Sequence, residues 1–482
     1  MSDRAMAPPA TIIPPATALW GRATRHPLAL VFVLALLIRL INIALLRGDA
    51  SFFAEPDTLM YWQLGGGLAK ADTFWPTLMG MTDRLPLFPL LLAGVQATVG
   101  EAPRVVAIIQ ATIDAGTCAL IAALGAMVSP RVGLVAGMLA ACTLTLIVFS
   151  TQMATETLFL FFFTAMLVAG ARFLRRPSGG LALLAGLAGG LSLATRPAVA
   201  ILLAAAIPLV FVGALVARRG GVRALVMALL FTLGAVAPVA PALVRNAMHY
   251  GAVSLTAQTG EHLLLWIVPL VTQRADGTPY QASVDRLQER YRQRLAERDQ
   301  TDSSNPFVLA AIKTQIAKEE LARLPPAAFA KAWLEGMVVN LGSPALLDDP
   351  RVRALPKPSF YNTPGAGLSE KARRYLFDDP GLFQVLLVAG LLGMVPLLML
   401  EALGFVMLAR MMPWAAVLAA GIVAYFLMVN GPVASPKYRL PMEPVLIVLA
   451  AIPLARLIDH WLFDRCAQRS RSTAASAKVN SI

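Results

Sequence analysis

The chain has 482 residues, of which 57% are hydrophobic and only 14% are charged, and its formal net charge is +13. Soluble domains carry about 25% charged residues, so this composition excludes an ordinary soluble protein. The positive charge would also suit a nucleic-acid-binding protein, but basic residues hold the cytoplasmic loops of membrane proteins in place. Several apolar segments approach the ~20 residues that a helix needs to cross a bilayer. The sequence therefore predicts an all-α polytopic membrane protein with no nucleic-acid partner.

The first apolar run, "HPLALVFVLALLIRLINIALL" (26–46), predicts a retained signal-anchor helix, because it is too long for a cleaved signal and no small-residue cleavage site follows it. The apolar pattern predicts about ten spanning helices, with about 10 to 13 possible. They lie near 27–47, 104–128, 132–149, 154–173, 180–195, 197–217, 223–243, 381–409, 413–430 and 440–460. The segment 84–100 has a short apolar stretch and is predicted to lie on the membrane surface instead.

Arginine marks one face of this topology, at Arg131, 172–176, 218–223 and Arg410. That face is predicted to be cytoplasmic, with both termini on it, and the other face is the outer, periplasmic side of a bacterial inner membrane. Five parts follow from this arrangement. They are a cytoplasmic tail (1–26), an N-terminal transmembrane module (27–243) with a first outer loop (48–103), an outer-face region with surface helices (244–380), a C-terminal transmembrane module (381–463) and a basic cytoplasmic tail (464–482).

Cysteine and histidine give no sign of a metal site. Cys118 and Cys142 sit in apolar runs and Cys466 in the basic tail, and no CxxC pair is present. His249 and His262 lack HExxH-like spacing. The sequence predicts no metal ligand and no cofactor, and it leaves a divalent ion open.

Polar residues gather in the connections assigned to the outer face. The stretch "FFAEPDTLMYW" (52–62) sets two carboxylates, Glu55 and Asp57, soon after the first membrane helix. The other members are Asp83, Arg84, Glu156, Arg196, Arg245, Asn246, His249, His262, Lys437, Tyr438 and Arg439. A carboxylate can act as a general base and fixed cations can hold a phosphate. Such a set suits the departure of a sugar from a lipid phosphate, whereas a glycosidase normally needs two carboxylates flanking the bond.

Structural roles remain open for the same residues. Asp57 could cap the helix that begins at Thr58, as Asp is a favoured N-cap. Arg84 and Arg196 could anchor helices at lipid head groups, Glu156 suits the start of a helix, and Lys437 and Arg439 could be interfacial. Gln110 and Asp114 lie four residues apart within an apolar helix, where a polar contact between helices is favoured over an ion pathway.

Five motifs occur in order along the chain. They are "EPDTLMYWQLGGGLA" (55–69), "DRLPLFPLLLA" (83–93), "ATRP" (194–197), "RNAMHYGAVSLTAQTGEHLL" (245–264) and "SPKYRLPMEPVLIVLAA" (435–451). Their order resembles the type C (GT-C) polytopic glycosyltransferases that use polyprenyl-phosphate sugars, such as the protein O-mannosyltransferases and the lipid A aminoarabinose transferases. The resemblance extends roughly from Arg39 to Ala451. Two departures are Pro56, which separates the two carboxylates, and Lys437, which stands where arginine is commoner.

The resemblance implies a GT-C fold and an inverting transfer of sugar from a polyprenyl-phosphate donor to a hydroxyl acceptor on a lipid, glycan or protein. Asp57 matches the catalytic aspartate and Arg84 a residue that contacts the lipid phosphate. The full hypothesis gives the following roles: Asp57 as base; Glu55, Asp83 and Glu156 as acidic partners; Arg84, Arg245, Lys437, Arg439 and Arg196 on the phosphate; and Tyr61, Asn246, His262 and Tyr438 orienting sugar or acceptor. A transporter or glycolipid flippase is the alternative, although it predicts internal repeats and midplane polar groups.

Overall fold

The structure, a computed structural model, describes residues 26–54, 57–297, 304–360, 362–365 and 367–460. Over these ranges the chain is helical and contains no β-strand. Glu55, Cys466 and the two predicted tails, except His26, lie outside the described residues. The all-α class predicted from the composition is confirmed for the described part of the chain.

The first half of the chain contains twelve described α-helices. They are α1 Pro27–Leu45, α2 Thr58–Ala69, α3 Ala71–Gly80, α4 Leu87–Val99, α5 Pro103–Gly125, α6 Pro130–Cys142, α7 Leu144–Phe149, α8 Glu156–Arg175, α9 Gly179–Leu193, α10 Ala200–Val216, α11 Gly221–Val236 and α12 Ala240–Tyr250. A short 3₁₀ helix, Pro197–Val199, leads into α10.

The second half continues with the outer-face region and the last membrane helices. They are α13 Thr259–His262, a π-helical turn Leu263–Ile267, α14 Val268–Asp276, α15 Tyr280–Ala296, α16 Pro306–Leu321, α17 Pro326–Gly342, α18 Pro350–Arg353, α19 Leu368–Phe377, α20 Leu382–Met411, α21 Pro413–Asn430, a 3₁₀ turn Pro436–Met442 and α22 (443–460).

Seven of the described helices are long and apolar enough to cross a membrane, and an eighth span is formed if α11 and α12 count as one helix bent by 63°. The seven are Pro27–Leu45, Pro103–Gly125, Glu156–Arg175, Pro197–Val216, Leu382–Met411, Pro413–Asn430 and Pro436–His460. The protein is therefore a multi-pass membrane protein, but the predicted count of about ten spans is too high by this measure.

Helix breaks explain the lower count. The predicted span 132–149 consists of α6 with 13 residues and α7 with 6, separated at Thr143. The predicted span 180–195 is α9, whose 15 residues rise only ~22 Å, against ~30 Å of hydrocarbon. Hydropathy extends across such breaks because the flanking residues are also apolar. The segment 84–100, predicted not to span, contains only the 13-residue α4.

Small residues let the short helix α9 pack deeply against α11. A Cβ atom added at Gly186 would lie 2.1 Å from the carbonyl oxygen of Phe231, and one at Gly190 would lie 2.5 Å from that of Ala235. Such close approach is how helices associate in a bilayer, where apolar burial gives little driving force. Both glycines are buried.

A buried ion pair joins the first two spans. Arg39 of α1 donates from Nε to Asp114 of α5 at 2.6 Å, and its Nη1 donates to the carbonyl oxygen of Ala141 at 2.6 Å. Gln110 donates to the carbonyl oxygen of Gln152 at 2.6 Å. The favoured interpretation of Gln110 and Asp114 as polar contacts between segments is thus confirmed.

Candidate functional site

Asp57 stands at the N-cap position of α2, but its side chain makes no capping hydrogen bond. The carboxylate is 54% exposed, and its Oδ1 lies 3.5 Å from Nη2 of Arg84. Arg84 also donates from Nη1 to Oδ2 of Asp83 at 3.3 Å. The structural role considered for Asp57, capping of α2, is therefore absent. The carboxylate instead meets the cation that the second motif supplies.

Tyr61 lies one helical turn after Asp57 and joins the two motifs. Its ring packs edge-on against Phe88 of α4, and the guanidinium carbon of Arg84 lies 5.9 Å from the ring centre. Burial raises the pKa of Tyr61 to about 12, while the nearby Arg84 works in the opposite direction. The phenol is thus neutral at physiological pH, so it can donate a hydrogen bond but does not serve as a base.

A second ion pair joins α8 to the turn before α10. Arg196 donates to the buried carboxylate of Glu156, and its guanidinium carbon lies 6.0 Å from the ring centre of Phe159. Arg196 has an extended backbone (φ −144°, ψ 130°), as expected for a residue before proline. The "ATRP" motif therefore ends α9 and turns this arginine toward Glu156.

Electrostatic coupling connects the two ion pairs and the turn Pro436–Met442. Asp57, Arg84, Glu156 and Arg196 all lie close enough to Tyr61 for their charges to affect its ionisation. Lys437 lies within the same electrostatic range of Glu156, and Tyr438 within that range of Arg196. We call this group the boundary cluster: Asp57, Tyr61, Arg84, Glu156, Arg196, Lys437 and Tyr438.

Asn340 of α17 fixes the segment that leads to Lys437. Its side chain is fully buried, and its Nδ2 donates to the carbonyl oxygen of Val433 at 2.9 Å. Its Oδ1 accepts from the backbone N–H of Ser435 at 3.1 Å. The hydroxyl of Ser435 in turn accepts from the backbone N–H of Lys437. Sequence reasoning missed Asn340, although an asparagine in the apolar stretch "MVVNLG" was a usable signal.

Arg439 does not join the boundary cluster, although it lies only two residues after Lys437. Its guanidinium is 1% exposed and donates to Glu401 of α20, to Glu443 of α22 and to the carbonyl oxygen of Leu341. Glu443 follows at i+4 on the same helical face, and it also accepts from Thr145 at 3.0 Å. The donors of Arg439 are thus committed inside the protein, so its placement does not support the predicted contact with phosphate. We call this group the Arg439 network: Arg439, Glu401, Glu443 and Thr145.

Arg245 and Asn246 hold neighbouring segments of the chain in place. Arg245 donates to the carbonyl oxygen of Leu78 at 2.6 Å, at the end of α3. Asn246 is fully buried and donates to the carbonyl oxygen of Ser254 at 2.7 Å. The same loop reaches the second motif, because Ala257 N–H donates to the carbonyl oxygen of Thr82 at 2.8 Å. Burial lowers the pKa of His262, which keeps its imidazole neutral.

Among the described residues, no group of three or more histidine, cysteine, aspartate or glutamate side chains is placed to hold a metal ion. The expectation of no metal ligand stays a prediction.

Residues 83–244 match the family model of dolichyl-phosphate-mannose-protein mannosyltransferases. Comparison with curated protein sequences gives no match. Two similar solved structures are crystal structures of ArnT from Cupriavidus metallidurans, each 16% identical to this chain. The complex with undecaprenyl phosphate has a TM-score of 0.35 and covers 91% of this chain and 78% of its own. The apo form has a TM-score of 0.38 and covers 90% and 78%.

Both TM-scores are below 0.5, which is too low for an argument from structural similarity. The family assignment therefore rests on the match to the family model. Its match includes Arg84, Glu156 and Arg196 of the boundary cluster and ends at Val244, one residue before the fourth motif. The match confirms the resemblance over residues 83–244, which include the second and third motifs: this part of the multi-pass membrane protein carries the sequence pattern of the dolichyl-phosphate-mannose-protein mannosyltransferases, a family of GT-C glycosyltransferases.

Proposed function

We propose that this protein is a membrane glycosyltransferase that moves a sugar from a polyprenyl-phosphate donor to a hydroxyl acceptor, with inversion, at the outer face of a bacterial inner membrane. The acceptor is a lipid, a glycan or a protein. The observation that carries the proposal is the exposed carboxylate of Asp57 beside Arg84, within a cluster drawn from four separate connections. No Gly-rich nucleotide-binding motif is needed, because the donor is a lipid.

The reaction is a displacement at the anomeric carbon. The acceptor oxygen forms a bond to that carbon, its proton passes to Asp57, and the bond from the carbon to the phosphate oxygen breaks. The polyprenyl phosphate leaves with the electron pair, so fixed positive charge lowers the barrier more than a proton donor does. The contact of 3.5 Å between Asp57 and Arg84 is loose enough for each to turn toward its own substrate.

The remaining members of the boundary cluster have distinct proposed roles. Arg84 and Lys437 bind the departing phosphate, and Lys437 acts as a point charge without a bidentate fork. Arg196 adds positive charge and is held by Glu156. Tyr61 and Tyr438 orient sugar or acceptor. Glu55 and Asp83 are proposed acidic neighbours, Arg245 and Asn246 brace the loops around the site, and His262 is proposed to orient sugar or acceptor.

The test is sugar transfer from a labelled polyprenyl-phosphate donor by the purified full-length protein. Asp57→Asn is expected to lower kcat at least ~100-fold, the range for loss of a positioned base. Its thermal midpoint should not change, because the carboxylate is exposed and caps no helix. The matched control is Asp49→Asn, another exposed carboxylate of the first outer loop, which should keep full transfer.

Two outcomes would contradict the proposal. Near-normal transfer by Asp57→Asn would exclude this residue as the base. Movement of an intact glycolipid across the bilayer without any transfer would favour the flippase alternative. The pairing of Asp114 with Arg39 at 2.6 Å weakens that alternative, because the carboxylate in the membrane already has a structural partner.

A further inference from the structure

Six arginines gather at the end of the protein opposite the boundary cluster. Helix α8 begins in that cluster at Glu156, and its 20 residues rise ~30 Å, about the thickness of the hydrocarbon layer. Two segments lie beyond its far end: "RFLRRPS" (172–178), which leads from α8 to α9, and "ARRGGVR" (217–223), which leads from α10 into α11. Neither segment contains an aspartate or a glutamate. We call their six exposed arginines the arginine patch: Arg172, Arg175, Arg176, Arg218, Arg219 and Arg223.

Helix packing brings these two segments side by side. A close glycine contact joins Gly186 of α9 to Phe231 of α11, and the next contact advances four residues along each helix. Helices α9 and α11 therefore run parallel and start at the same side of the membrane. The helices that precede them also end together, because a Cβ atom added at Gly213 of α10 would lie 3.1 Å from Cδ2 of Leu174 in α8.

The charges of the patch are not neutralised within the protein. Among the described residues, no carboxylate lies within 4.0 Å of any of its six guanidinium groups. Arg175 donates instead to the carbonyl oxygen of Met127, just after α5. The patch is thus a concentration of positive charge that the described protein leaves open to a negatively charged ligand.

Arg218 has a backbone conformation that normally favours glycine. Its φ is 57°, and it is the only residue other than glycine with a positive φ among the described residues. Its N–H donates to the carbonyl oxygen of Leu215, and that of Arg219 donates to the carbonyl oxygen of Ala214. This is the pattern of a Schellman cap, in which the left-handed residue is usually glycine because a Cβ atom is disfavoured there. The arginine is therefore explained by its side chain and not by its backbone.

Exposed apolar side chains stand directly beside the arginines. Leu174, which precedes Arg175, is 37% exposed, and Val222, which precedes Arg223, is 79% exposed. Val216, near the end of α10, is 78% exposed. A surface that combines guanidinium groups with exposed hydrocarbon fits an amphiphile, with a charged head group and acyl chains, better than it fits a soluble anion.

We propose that the arginine patch binds the phosphate head group of an anionic phospholipid in the leaflet opposite the boundary cluster. Guanidinium groups bind phosphate oxygens through pairs of parallel hydrogen bonds, and the exposed valines contact the acyl chains. In the predicted topology this leaflet is the cytoplasmic one, where basic residues next to membrane helices attract anionic lipids. The lipid is separate from the sugar donor and takes no part in the transfer step.

The first experiment is thermal unfolding of the purified full-length protein in a neutral detergent. Phosphatidylglycerol should raise the thermal midpoint saturably, because a ligand that binds the folded state stabilises it, and the neutral lipid phosphatidylcholine should not. The double variant Arg176→Gln with Arg219→Gln should need ~25-fold more phosphatidylglycerol for half of the effect, or about fivefold for each arginine. Equal shifts with the two lipids in the native protein would overturn the proposal.

Arg218→Gly separates lipid binding from a structural role. It should need about fivefold more phosphatidylglycerol, yet it should not lower the midpoint without lipid, because glycine adopts a positive φ freely. The matched control is Arg410→Gln at the exposed end of α20. It lies on the same side as the patch, since α21 then returns to Asn430, which donates to the carbonyl oxygen of Tyr438. Equal weakening by the two variants, or a lowered midpoint in Arg218→Gly with unchanged lipid dependence, would overturn the proposal.

Inorganic phosphate replaces the lipid in the last arm. At concentrations at which phosphatidylglycerol saturates its effect, phosphate should leave the midpoint unchanged, because it brings no acyl chains to the exposed valines. Equal stabilisation by phosphate would overturn the lipid assignment in favour of a soluble anion. None of these measurements requires sugar transfer, so failure here is distinguishable from failure of the proposed function.

Discussion

Two arginine clusters each include a residue of the turn Pro436–Met442, and they differ in how the donors of their arginines are used. Arg439 is 1% exposed, and its guanidinium donates hydrogen bonds to Glu401, to Glu443 and to a carbonyl oxygen. Arg84 belongs to the boundary cluster, where its carboxylate neighbours Asp57 and Asp83 are more than half exposed and lie 3.3 to 3.5 Å away. An arginine side chain thus holds helices together at position 439, whereas at position 84 it faces a carboxylate that solvent can reach.

The comparison shows that charge type and position in the sequence do not fix a role. What matters is whether the partners of the cation are buried and fully engaged. A buried arginine between two carboxylates costs much to disturb, because removal of one partner leaves uncompensated charge in the interior. An arginine beside an exposed carboxylate can exchange that partner for a ligand at little cost.

Arg439→Gln tests the structural side of the comparison and should have the largest effect on stability. It leaves Glu401 and Glu443 buried together, so we expect the free energy of unfolding to fall by ~3–5 kcal/mol. The measurement is the thermal midpoint in detergent. Arg131→Gln breaks an exposed pair with Asp459 and should cost at most ~1 kcal/mol. An unchanged midpoint with abolished transfer would instead support the phosphate role predicted from the sequence.

Arg84→Gln tests the functional side. Loss of a cation that stabilises the departing phosphate should lower kcat by ~100- to 1,000-fold, or ~2.7–4 kcal/mol of transition-state stabilisation. The thermal midpoint should stay near that of the native protein, because the carboxylate partners of Arg84 are exposed. Arg104→Gln, which removes an exposed arginine at the start of α5, is the control. A large loss of stability with unaltered turnover would show that Arg84, like Arg439, has a structural role.

Asn340→Ala lies between the two cases, because Asn340 is buried yet positions Lys437. Loss of its two backbone contacts should cost ~1–3 kcal/mol of stability. Turnover should fall with little change in the KM for the donor if the lysine is merely displaced. Asn305→Ala removes an asparagine that caps α16 and should leave turnover unchanged. Equal turnover in the two variants would show that Asn340 has no part in placing Lys437.

Tyr61→Phe should have the smallest effect. The ring still packs against Phe88, and only the hydroxyl is lost, so we expect transfer to fall by ~0.5–1.5 kcal/mol, the value of one hydrogen bond. The pH profile below pH 10 should not move, because the pKa of Tyr61 lies at about 12. A shifted profile would show that the phenol takes part in proton transfer.

Much of the candidate site could be predicted because each motif carries local chemistry. Polar residues in an apolar chain identify Asp57 and Arg84, and proline explains the extended turn at Arg196. Asn340 and Glu401 were missed because their partners come from distant segments: Asn340 contacts residues more than 90 positions along the chain, and Glu401 pairs with Arg439, 38 positions away. Lys437 and Arg439 were grouped because a linear motif does not say which way each side chain faces.

The sequence by itself determined the helical membrane class and the family resemblance, because hydropathy and motif order are properties of the chain. It overestimated the number of spans, since apolar residues continue through the breaks that end α6 and α9. Only the tertiary structure decided which cations share the boundary cluster and which are committed elsewhere. That decision depends on burial and on hydrogen-bond partners from remote helices, and neither is encoded in the spacing of a single motif.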